Sequence, residues 1–266
     1  MPLNWEKKTK MNKEIIVIKV GTNVMTNKDS RIVRPVLRRL VKQIAELYER
    51  GIMTLLVSSG SVIAGKEVLG NSRLKDKTQK RQVYSAIGQP RMMSLYYNIF
   101  QDYGMKCAQV LPTKRDFSPG LHRENMINCC LGLLSEGVIP IANEDDAVSV
   151  TMSMFSDNDE LASLIAQLIN ADRLIILTDI DGLYNGHPDA DSSNLIENVD
   201  PREDLEKYIR DISKSEGEGR GGMGSKLSYA QQTAANSIPT FIANGKRDNT
   251  IIDIIEGKSV GTKVSL

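Results

Sequence analysis

The stretch Ile15-Ile16-Val17-Ile18-Lys19-Val20-Gly21-Thr22-Asn23 decides the expected fold of this chain. An apolar run interrupted only by Lys19 ends directly in a glycine and small polar residues. A short run of this kind is typical of a strand that is covered on both faces of a parallel sheet. Five similar runs follow along the chain, at residues 53–57, 107–111, 138–142, 174–178 and 240–243.

Apolar residues at helical spacing predict helices between these runs. The predicted helices span residues 35–50, 82–101, 159–171 and 225–236. Strands that alternate with helices predict an α/β fold, in which helices cover both faces of a mostly parallel sheet.

Small and polar side chains follow four of the predicted strands. The segments are Lys19-Val20-Gly21-Thr22-Asn23, Ser58-Ser59-Gly60-Ser61, Asn143-Glu144-Asp145-Asp146 and Thr178-Asp179-Ile180-Asp181-Gly182. Sheets of this kind bind ligands at the carboxyl ends of their strands. The convergence of hydroxyl, amide, acidic and glycine residues there predicts a site that handles phosphate.

The composition is that of an ordinary globular protein. The 266 residues include 34 Lys and Arg against 33 Asp and Glu, which argues against nucleic acid or an acidic membrane surface as a partner. Three cysteines and two histidines form no zinc-ligand pattern, so we expect reduced thiols in a cytoplasmic protein. No stretch of the sequence is long and apolar enough for a transmembrane helix. The polar residues 1–13 are expected to form a flexible extension and not a secretory signal.

Two glycine motifs match known nucleotide-binding patterns only in part. Gly60-Ser61-Val62-Ile63-Ala64-Gly65-Lys66-Glu67 nearly forms a Walker A loop, but Glu67 replaces the Ser or Thr that holds magnesium. Gly219-Arg220-Gly221-Gly222-Met223-Gly224 fits a dinucleotide pattern but does not follow a buried strand. Neither motif predicts its usual cofactor. The second is expected to be a flexible loop that brings Lys226 to nucleotide phosphates, and a surface loop with an incidental lysine is the alternative.

Seven motifs occur in an order that resembles the amino acid kinase family over about residues 14–266. They are Val17-Ile18-Lys19-Val20-Gly21-Thr22, Val57-Ser58-Ser59-Gly60-Ser61-Val62-Ile63-Ala64-Gly65, Ile87-Gly88-Gln89, Asn143-Glu144-Asp145-Asp146-Ala147-Val148, Asp157-Asn158-Asp159, Leu177-Thr178-Asp179 with Gly182-Leu183-Tyr184, and Gly221-Gly222-Met223-Gly224-Ser225-Lys226. The resemblance implies one domain, a three-layer α-β-α sandwich like that of carbamate kinase. Its N-terminal half would bind an amino acid and its C-terminal half a nucleotide.

The same resemblance implies an activity and a set of site residues. The Ser-Ser-Gly-Ser turn and the Asn-Glu-Asp-Asp-Ala-Val loop favour the branch that uses ATP to phosphorylate the γ-carboxylate of L-glutamate, the first step of proline biosynthesis. The implied catalytic residues are Lys19, Lys226, Asp159 and Gly60. The implied glutamate-binding residues are Ser59, Asp146 and Asn158. The implied ATP-binding residues are Lys19, Thr178, Asp179, Gly221, Gly222, Met223, Gly224, Ser225 and Lys226. Magnesium would arrive with the nucleotide phosphates, without a dedicated set of protein ligands.

The chain also departs from the family pattern. Asp145 stands where the family usually has Asn, and it adds a negative charge near the expected glutamate site. The segment Asn125-Met126-Ile127-Asn128-Cys129 replaces a motif in which the family has an arginine at the position of Ile127. That motif is tied to feedback inhibition by proline. Many relatives continue into a PUA domain, an RNA-binding-like module, for which the sequence leaves no room after Leu266.

The resemblance further implies partners and leaves alternatives open. A homodimer or homotetramer is expected, with a functional link to glutamate-5-semialdehyde dehydrogenase and with no nucleic acid or membrane partner. One alternative is a sibling kinase that acts on N-acetylglutamate, aspartate, carbamate or UMP. Another is a sensor on the same fold without catalytic activity. The presence of Lys19, Asp159 and Lys226 favours the enzyme, because a sensor is expected to lose charged catalytic groups.

Overall fold

The computed structural model describes residues 13–144, 155–186, 193–204 and 222–266. The strands are β1 (Ile15–Val20), β2 (Met53–Ser58), β3 (Lys106–Val110), β4 (Val138–Ala142), β5 (Arg173–Thr178), β6 (Leu183–Tyr184), β7 (Leu195–Ile196), β8 (Asn198–Val199), β9 (Thr240–Asn244) and β10 (Thr262–Val264). The α-helices are α1 (Thr22–Met25), α2 (Arg34–Glu49), α3 (Ser61–Leu69), α4 (Lys77–Gln101), α5 (Leu121–Ser135), α6 (Asn158–Leu168), α7 (Met223–Ala235) and α8 (Thr250–Ile255). A 3₁₀ helix spans Lys114–Phe117.

The main sheet has the strand order β3-β4-β2-β1-β5-β9-β10-β8. The pairs from β3 to β9 are parallel, whereas β10 runs antiparallel to β9 and parallel to β8. The predicted mostly parallel sheet is therefore confirmed. The carboxyl ends of β4, β2, β1 and β5 lie side by side in that order, which brings the four polar strand ends of the sequence to one edge of the sheet.

Helices cover both faces of this sheet, so the predicted three-layer arrangement is confirmed. All six residues of β1 are buried. Ile16 and Ile18 pack into a cluster with residues of α2, α4 and α8 on one face. Ile15 and Val17 pack into a second cluster with α5, α6 and α7 on the other face. Because side chains alternate along a strand, Lys19 points to the same face as Ile15 and Val17, toward α6 and α7.

The six predicted strands and four predicted helices are confirmed, with differences at their ends. Helix α4 begins earlier than predicted, because the side chain of Asp76 accepts a hydrogen bond of 2.7 Å from the Gln79 N–H and caps the first turn. Helix α6 ends earlier than predicted, and Asn170 just beyond it has a φ of 51°. The periodicity missed α3 and α5, which have nine and 15 residues. It also missed helices of four to six residues and strands of two to three residues.

Helices α3 and α4 lie in close contact through two glycines. A Cβ on Gly88 would lie 1.6 Å from the Ser61 carbonyl oxygen, and a Cβ on Gly65 would lie 1.8 Å from that of Tyr84. Gly65 is therefore part of a helix–helix contact and not of a phosphate-binding loop. The carboxylate of Glu67 accepts a hydrogen bond from the Ile32 N–H. Both observations agree with the sequence argument against a Walker A loop.

Two further expectations concern the N-terminal extension and membrane-spanning helices. The flexible extension was expected at residues 1–13, of which residues 1–12 lie outside the described part of the chain. Within the described ranges, no helix is both long enough and apolar enough to cross a membrane.

Candidate active site

Two lysines from opposite halves of the chain share one carboxylate. The Nζ of Lys19, at the end of β1, lies 2.7 Å from Asp159 Oδ1. The Nζ of Lys226, in the first turn of α7, lies 3.2 Å from Asp159 Oδ2. The exposed fractions of these side chains are only 6% for Lys19, 12% for Lys226 and 1% for Asp159. Within the described ranges, neither Asp159 oxygen has a hydrogen-bond partner apart from these ion pairs, so the two ammonium groups are its partners there.

The position of Asp159 is fixed by the residue two places before it. Asp157 caps α6, and its Oδ1 accepts hydrogen bonds of 2.9 Å from the N–H groups of Asp159 and Glu160. The cap at the start of this helix is thus Asp157 and not Asp159. The side chain of Asp159 is thereby left to the lysines.

Ser225 links the two helices that carry the acid and the second lysine. Its hydroxyl donates a hydrogen bond of 2.8 Å to Asp157 Oδ2. One carboxylate thus caps α6 and holds the first turn of α7, in which Lys226 follows Ser225 directly. The sequence analysis placed Ser225 among the ATP-binding residues, and this contact to Asp157 was not foreseen.

A chain of amide and hydroxyl contacts forms the wall on the side of β2 and β4. Asn158 Nδ2 donates hydrogen bonds of 2.9 Å to Ser59 Oγ and to Asn143 Oδ1. Asn143 Nδ2 donates one of 2.8 Å to Gln89 Oε1 on α4. Asn158 Oδ1 accepts one of 3.0 Å from the Glu144 N–H. Asn158 therefore connects Ser59 with the end of β4.

The turn that carries Ser59 and Gly60 rests on a buried polar cluster. Gly60 has a φ of 101°, which favours glycine, and a Cβ there would lie 3.2 Å from Met25 Cε. Beneath the turn, the Ser58 and Tyr96 hydroxyls form a hydrogen bond of 2.7 Å. Burial raises the pKa of Tyr96 by more than this hydrogen bond lowers it, so the phenol stays neutral at physiological pH. The turn is therefore held from below by uncharged groups.

The end of β5 forms the opposite wall. The Thr178 hydroxyl lies 3.3 Å from Asp179 Oδ1, and the Thr178 carbonyl accepts a hydrogen bond of 2.8 Å from the Gly245 N–H. The Gly21 N–H donates to the Leu177 carbonyl at 3.2 Å, which ties the end of β1 to the end of β5. Thr178 and Asp179, which were predicted to bind the nucleotide, thus lie one strand away from Lys19.

A cleft of about 340 Å³ joins these groups at the carboxyl edge of the sheet. The predicted residues that line it are Lys19, Ser59, Gly60, Asn158, Thr178, Asp179, Met223 and Lys226. Asp159, Gly222, Gly224 and Ser225 are not among its lining residues. Asp159 contacts both lysines of the cleft, and the other three residues lie in or next to the first turn of α7. Asp146 and Gly221, and also Asp145, lie outside the described residues.

Three charged residues that line the cleft were not assigned a role from the sequence. They are Arg81, Glu144 and Asp157. Glu144 and Asp157 lie inside motifs that the sequence did single out, so their neighbourhood was visible although their individual roles were not. Arg81 lies on α4, far along the chain from the other cleft residues, and no local pattern marks it.

Within the described ranges, no group of three or more His, Cys, Asp or Glu residues is arranged to hold a metal ion. The Asp159 carboxylate is already directed at two ammonium groups.

Solved structures of similar shape come from small-molecule kinases. The isopentenyl phosphate kinase of T. acidophilum superimposes with a TM-score of 0.67 at 16% identity, over 94% of this chain and 99% of that one. The carbamate kinase of Giardia lamblia, solved with AMP-PNP, gives a TM-score of 0.66 at 19% identity, over 96% and 99%. At these identities the likeness concerns the fold. These structures show a fold class that this chain shares with small-molecule kinases.

The sequence comparisons identify the family within that class. The model of the amino acid kinase family matches residues 14–244, and the chain belongs to this family. A glutamate 5-kinase of Bacteroides thetaiotaomicron is 42% identical over 91% of this chain, which spans only 66% of that relative. Glutamate 5-kinases of Alkaliphilus metalliredigens and Clostridium acetobutylicum are 38% and 35% identical and are spanned over 94% and 97% of their lengths.

Proposed function

We propose that this chain transfers the γ-phosphate of ATP to the γ-carboxylate of L-glutamate, giving ADP and γ-glutamyl phosphate. The observation that carries the proposal is the pair of lysines held by one carboxylate in the cleft, with Ser59 and Asn158 beside it. Names of the relatives support glutamate as the acceptor, and membership in a kinase family supports ATP as the donor.

The strand order supports an arrangement of the two substrates. Ser59 and Gly60 follow β2, Lys19 ends β1, and Thr178 ends β5, and these strands are neighbours in that order. Glutamate would lie over the end of β2, the transferring phosphoryl group over β1, and the nucleotide over β5. The N-terminal half of the domain would then bind the amino acid and the C-terminal half the nucleotide.

The reaction needs little covalent help from the protein. An oxygen of the γ-carboxylate forms a bond to the γ-phosphorus, and the bond from that phosphorus to the bridging oxygen breaks, so that ADP leaves with the electron pair. The carboxylate is already an anion, so no proton has to be removed. The main requirements are alignment and neutralisation of charge on the phosphate oxygens.

The two lysines would neutralise charge on the phosphate oxygens. Lys19 would neutralise the transferring group and Lys226 the leaving ADP, because they approach from the strand and the helix on opposite halves of the fold. Preorganised cations of this kind act where charge develops in the transition state, and loss of one such group typically costs about 100- to 1,000-fold in rate. Asp159 would orient both ammonium groups and balance their charge before ATP binds.

The remaining groups would position the substrates. Ser59 and Asn158 offer a hydroxyl and an amide to the carboxylates of glutamate, and Gly60 allows backbone N–H groups to approach the phosphoryl oxygens. Asp146 would bind the α-ammonium group. On the nucleotide side, Thr178 and Asp179 would act with the segment from Gly221 to Lys226. Magnesium bound by the phosphates would add positive charge that the described residues alone do not supply.

The proposal also covers the assembly of the enzyme, its location and the fate of its product. The expected assembly is a homodimer or homotetramer in the cytoplasm, and glutamate-5-semialdehyde dehydrogenase would consume the reactive acyl phosphate. Proline is the expected feedback inhibitor, but the segment that departs from the family motif lies in α5. There Ile127 packs half-buried against the core, where an arginine is usual in the family.

The test is an acceptor panel. Purified protein is mixed with ATP, magnesium and L-glutamate, the product is trapped as a hydroxamate, and ADP release is followed, with N-acetylglutamate, aspartate and carbamate in parallel. We expect hydroxamate and ADP in equal amounts with glutamate as the best acceptor. Preference for another acid would move the specificity to a sibling kinase. No turnover with any acceptor would favour a sensor.

A further inference from the structure

We infer that Arg81 and Glu144 together recognise the zwitterionic head of the acceptor, with Arg81 binding its α-carboxylate and Glu144 contributing to its α-ammonium group. This inference rests on the proposed function and deepens it. Neither residue stands among the site residues derived from the sequence. Both line the same cleft as Lys19 and Lys226.

The two side chains form a loose pair of opposite charges in the wall of the cleft. The Arg81 guanidinium nitrogen Nη2 lies 3.5 Å from Glu144 Oε1. Charge-assisted hydrogen bonds of this type are usually about 2.7–2.9 Å long, so the pair is not in close bidentate contact. The Arg81 side chain is 38% exposed and that of Glu144 is 9% exposed. The pair therefore presents adjacent positive and negative groups to the cleft.

An amino acid carries the complementary pattern on its α-carbon. Its ammonium and carboxylate groups are attached to the same atom, so they can pair at once with a neighbouring carboxylate and guanidinium. The planar guanidinium also suits a carboxylate better than a lysine would, because it donates two parallel hydrogen bonds. Acceptors such as carbamate or N-acetylglutamate lack the free ammonium group and could not form the proposed contact to Glu144.

The location of the pair fits the length of glutamate. Glu144 follows β4, and β4 and β1 are separated by β2 alone. Neighbouring strands lie about 4.8 Å apart, so the end of β4 is roughly 10 Å from Lys19 at the end of β1. The three carbon–carbon bonds from the α-carbon to the side-chain carboxylate, about 1.5 Å each, cover a similar span once a hydrogen bond of about 2.9 Å is added at each end.

The pair is also fixed to the residues that are expected to hold the other end of the substrate. Asn158 accepts from the Glu144 N–H and donates to Ser59. Asn143, next to Glu144, is bonded to Gln89 on α4, the helix that carries Arg81. The distance between the head-binding pair and the Ser59–Gly60 turn is therefore set by direct hydrogen bonds.

The experiment removes each charge separately and matches it to one functional group of the ligand. Arg81→Gln and Glu144→Gln are compared with wild type for the KM of glutamate and of ATP. Glutarate, which lacks the ammonium group, and 4-aminobutyrate, which lacks the α-carboxylate, are used as competitive inhibitors. Lys77→Gln, which removes an exposed positive charge from the same helix outside the cleft, is the matched control.

We expect both variants to raise the KM of glutamate roughly 10- to 100-fold, the usual effect of losing a hydrogen bond to a charged group. The KM of ATP should change little, and Arg81→Lys should recover part of the loss. The inhibition constant of glutarate should rise in Arg81→Gln only, and that of 4-aminobutyrate in Glu144→Gln only. Thermal unfolding of each variant shows whether it is folded.

An unchanged KM for glutamate in either variant, or an equal loss for both inhibitors, overturns the inference. So does a wild-type enzyme that neither analogue inhibits. These outcomes are distinct from failure of the proposed function, in which the wild-type protein itself shows no turnover of glutamate.

Discussion

The ammonium group of Lys19 lies 2.7 Å from the carboxylate of Asp159, and both side chains are almost completely buried. A buried charge needs a partner, because its removal from water costs several kcal/mol. The pair therefore has a structural role in the absence of substrate, in addition to its proposed part in phosphoryl transfer.

Asp159→Asn should reveal both roles. The two ammonium groups would then lose their shared counter-charge, so we expect unfolding to become easier by about 3–5 kcal/mol and turnover to fall at least about 100-fold. ATP should stabilise the variant more than the wild type, because phosphates replace the missing charge. Thermal unfolding with and without ATP, together with ADP release, measures these effects. An Asn variant that keeps wild-type stability and rate would contradict the ion-pair argument.

Lys226→Met tests the helix-borne cation alone. We expect turnover to fall by about 100- to 1,000-fold, because charge on the leaving ADP is no longer neutralised. Glutamate binding, measured by equilibrium dialysis, should remain largely intact. Lys258→Met provides the control, since Lys258 is exposed and pairs with Asp253 away from the cleft. Near-normal turnover in Lys226→Met would remove this residue from the mechanism.

Ser225→Ala tests the contact between α6 and α7. Without the hydroxyl, Asp157 still caps α6 but no longer holds the first turn of α7, so Lys226 should be less well positioned. We expect kcat to fall by roughly 10-fold, the effect of one hydrogen bond to a charged group, with a small change in the KM of ATP. Ser225→Thr, which keeps the hydroxyl, should retain more activity. A large rise in the KM of ATP with unchanged kcat would instead place Ser225 directly on the nucleotide.

Gly88→Ala tests the contact between α3 and α4. Its new methyl group would lie 1.6 Å from the Ser61 carbonyl oxygen, so the helices must move apart. We expect a loss of about 1–3 kcal/mol in the free energy of unfolding, measured in urea. Gly132→Ala in α5 is the matched control, because nothing lies within 4 Å of its new atom, and it should be neutral or stabilising by up to about 1 kcal/mol. Equal stability of the two variants would refute the close contact.

The ionisation of Glu160 predicts how the stability of the fold depends on pH. Burial raises the pKa of Glu160, but hydrogen bonds from Ser156 and Lys114 lower it more, and the net pKa lies below the usual 4.5. A depressed pKa in the folded state means that the contribution of Glu160 to stability is complete above pH 4.5 and is lost as the pH falls below it. The difference in unfolding free energy between wild type and Glu160→Gln should therefore shrink below pH 4.5. A difference that grows on acidification would show the opposite sign of linkage.

The sheet was predictable from sequence because its strands are buried on both faces and read as continuous apolar runs. The polar residues at strand ends were predictable for a related reason, since parallel strands bring their carboxyl ends to one edge. Lys19 stood inside such a segment, whereas Asp159 stood at the start of a predicted helix, and the contact of 2.7 Å between them brings the two together.

Contacts between side chains from distant segments were not predictable in the same way. The hydrogen bond from Ser225 to Asp157 and the pairing of Arg81 with Glu144 depend on how helices are placed over the sheet. No period or spacing in the chain encodes such contacts. The roles assigned to the site residues stay predictions, and of these residues Asp146 and Gly221 lie outside the described part of the chain.

Strand β1 is both the middle of the sheet and the source of a cation for the cleft. Its ladders to β2 and β5 keep Ile15 to Val20 in register on both sides. A slip by one residue would turn Lys19 to the opposite face and bring an apolar side chain into its place. The strand that holds the sheet together therefore also places Lys19 in the cleft. A partly unfolded molecule in which β1 has left the sheet is expected to have no activity at all.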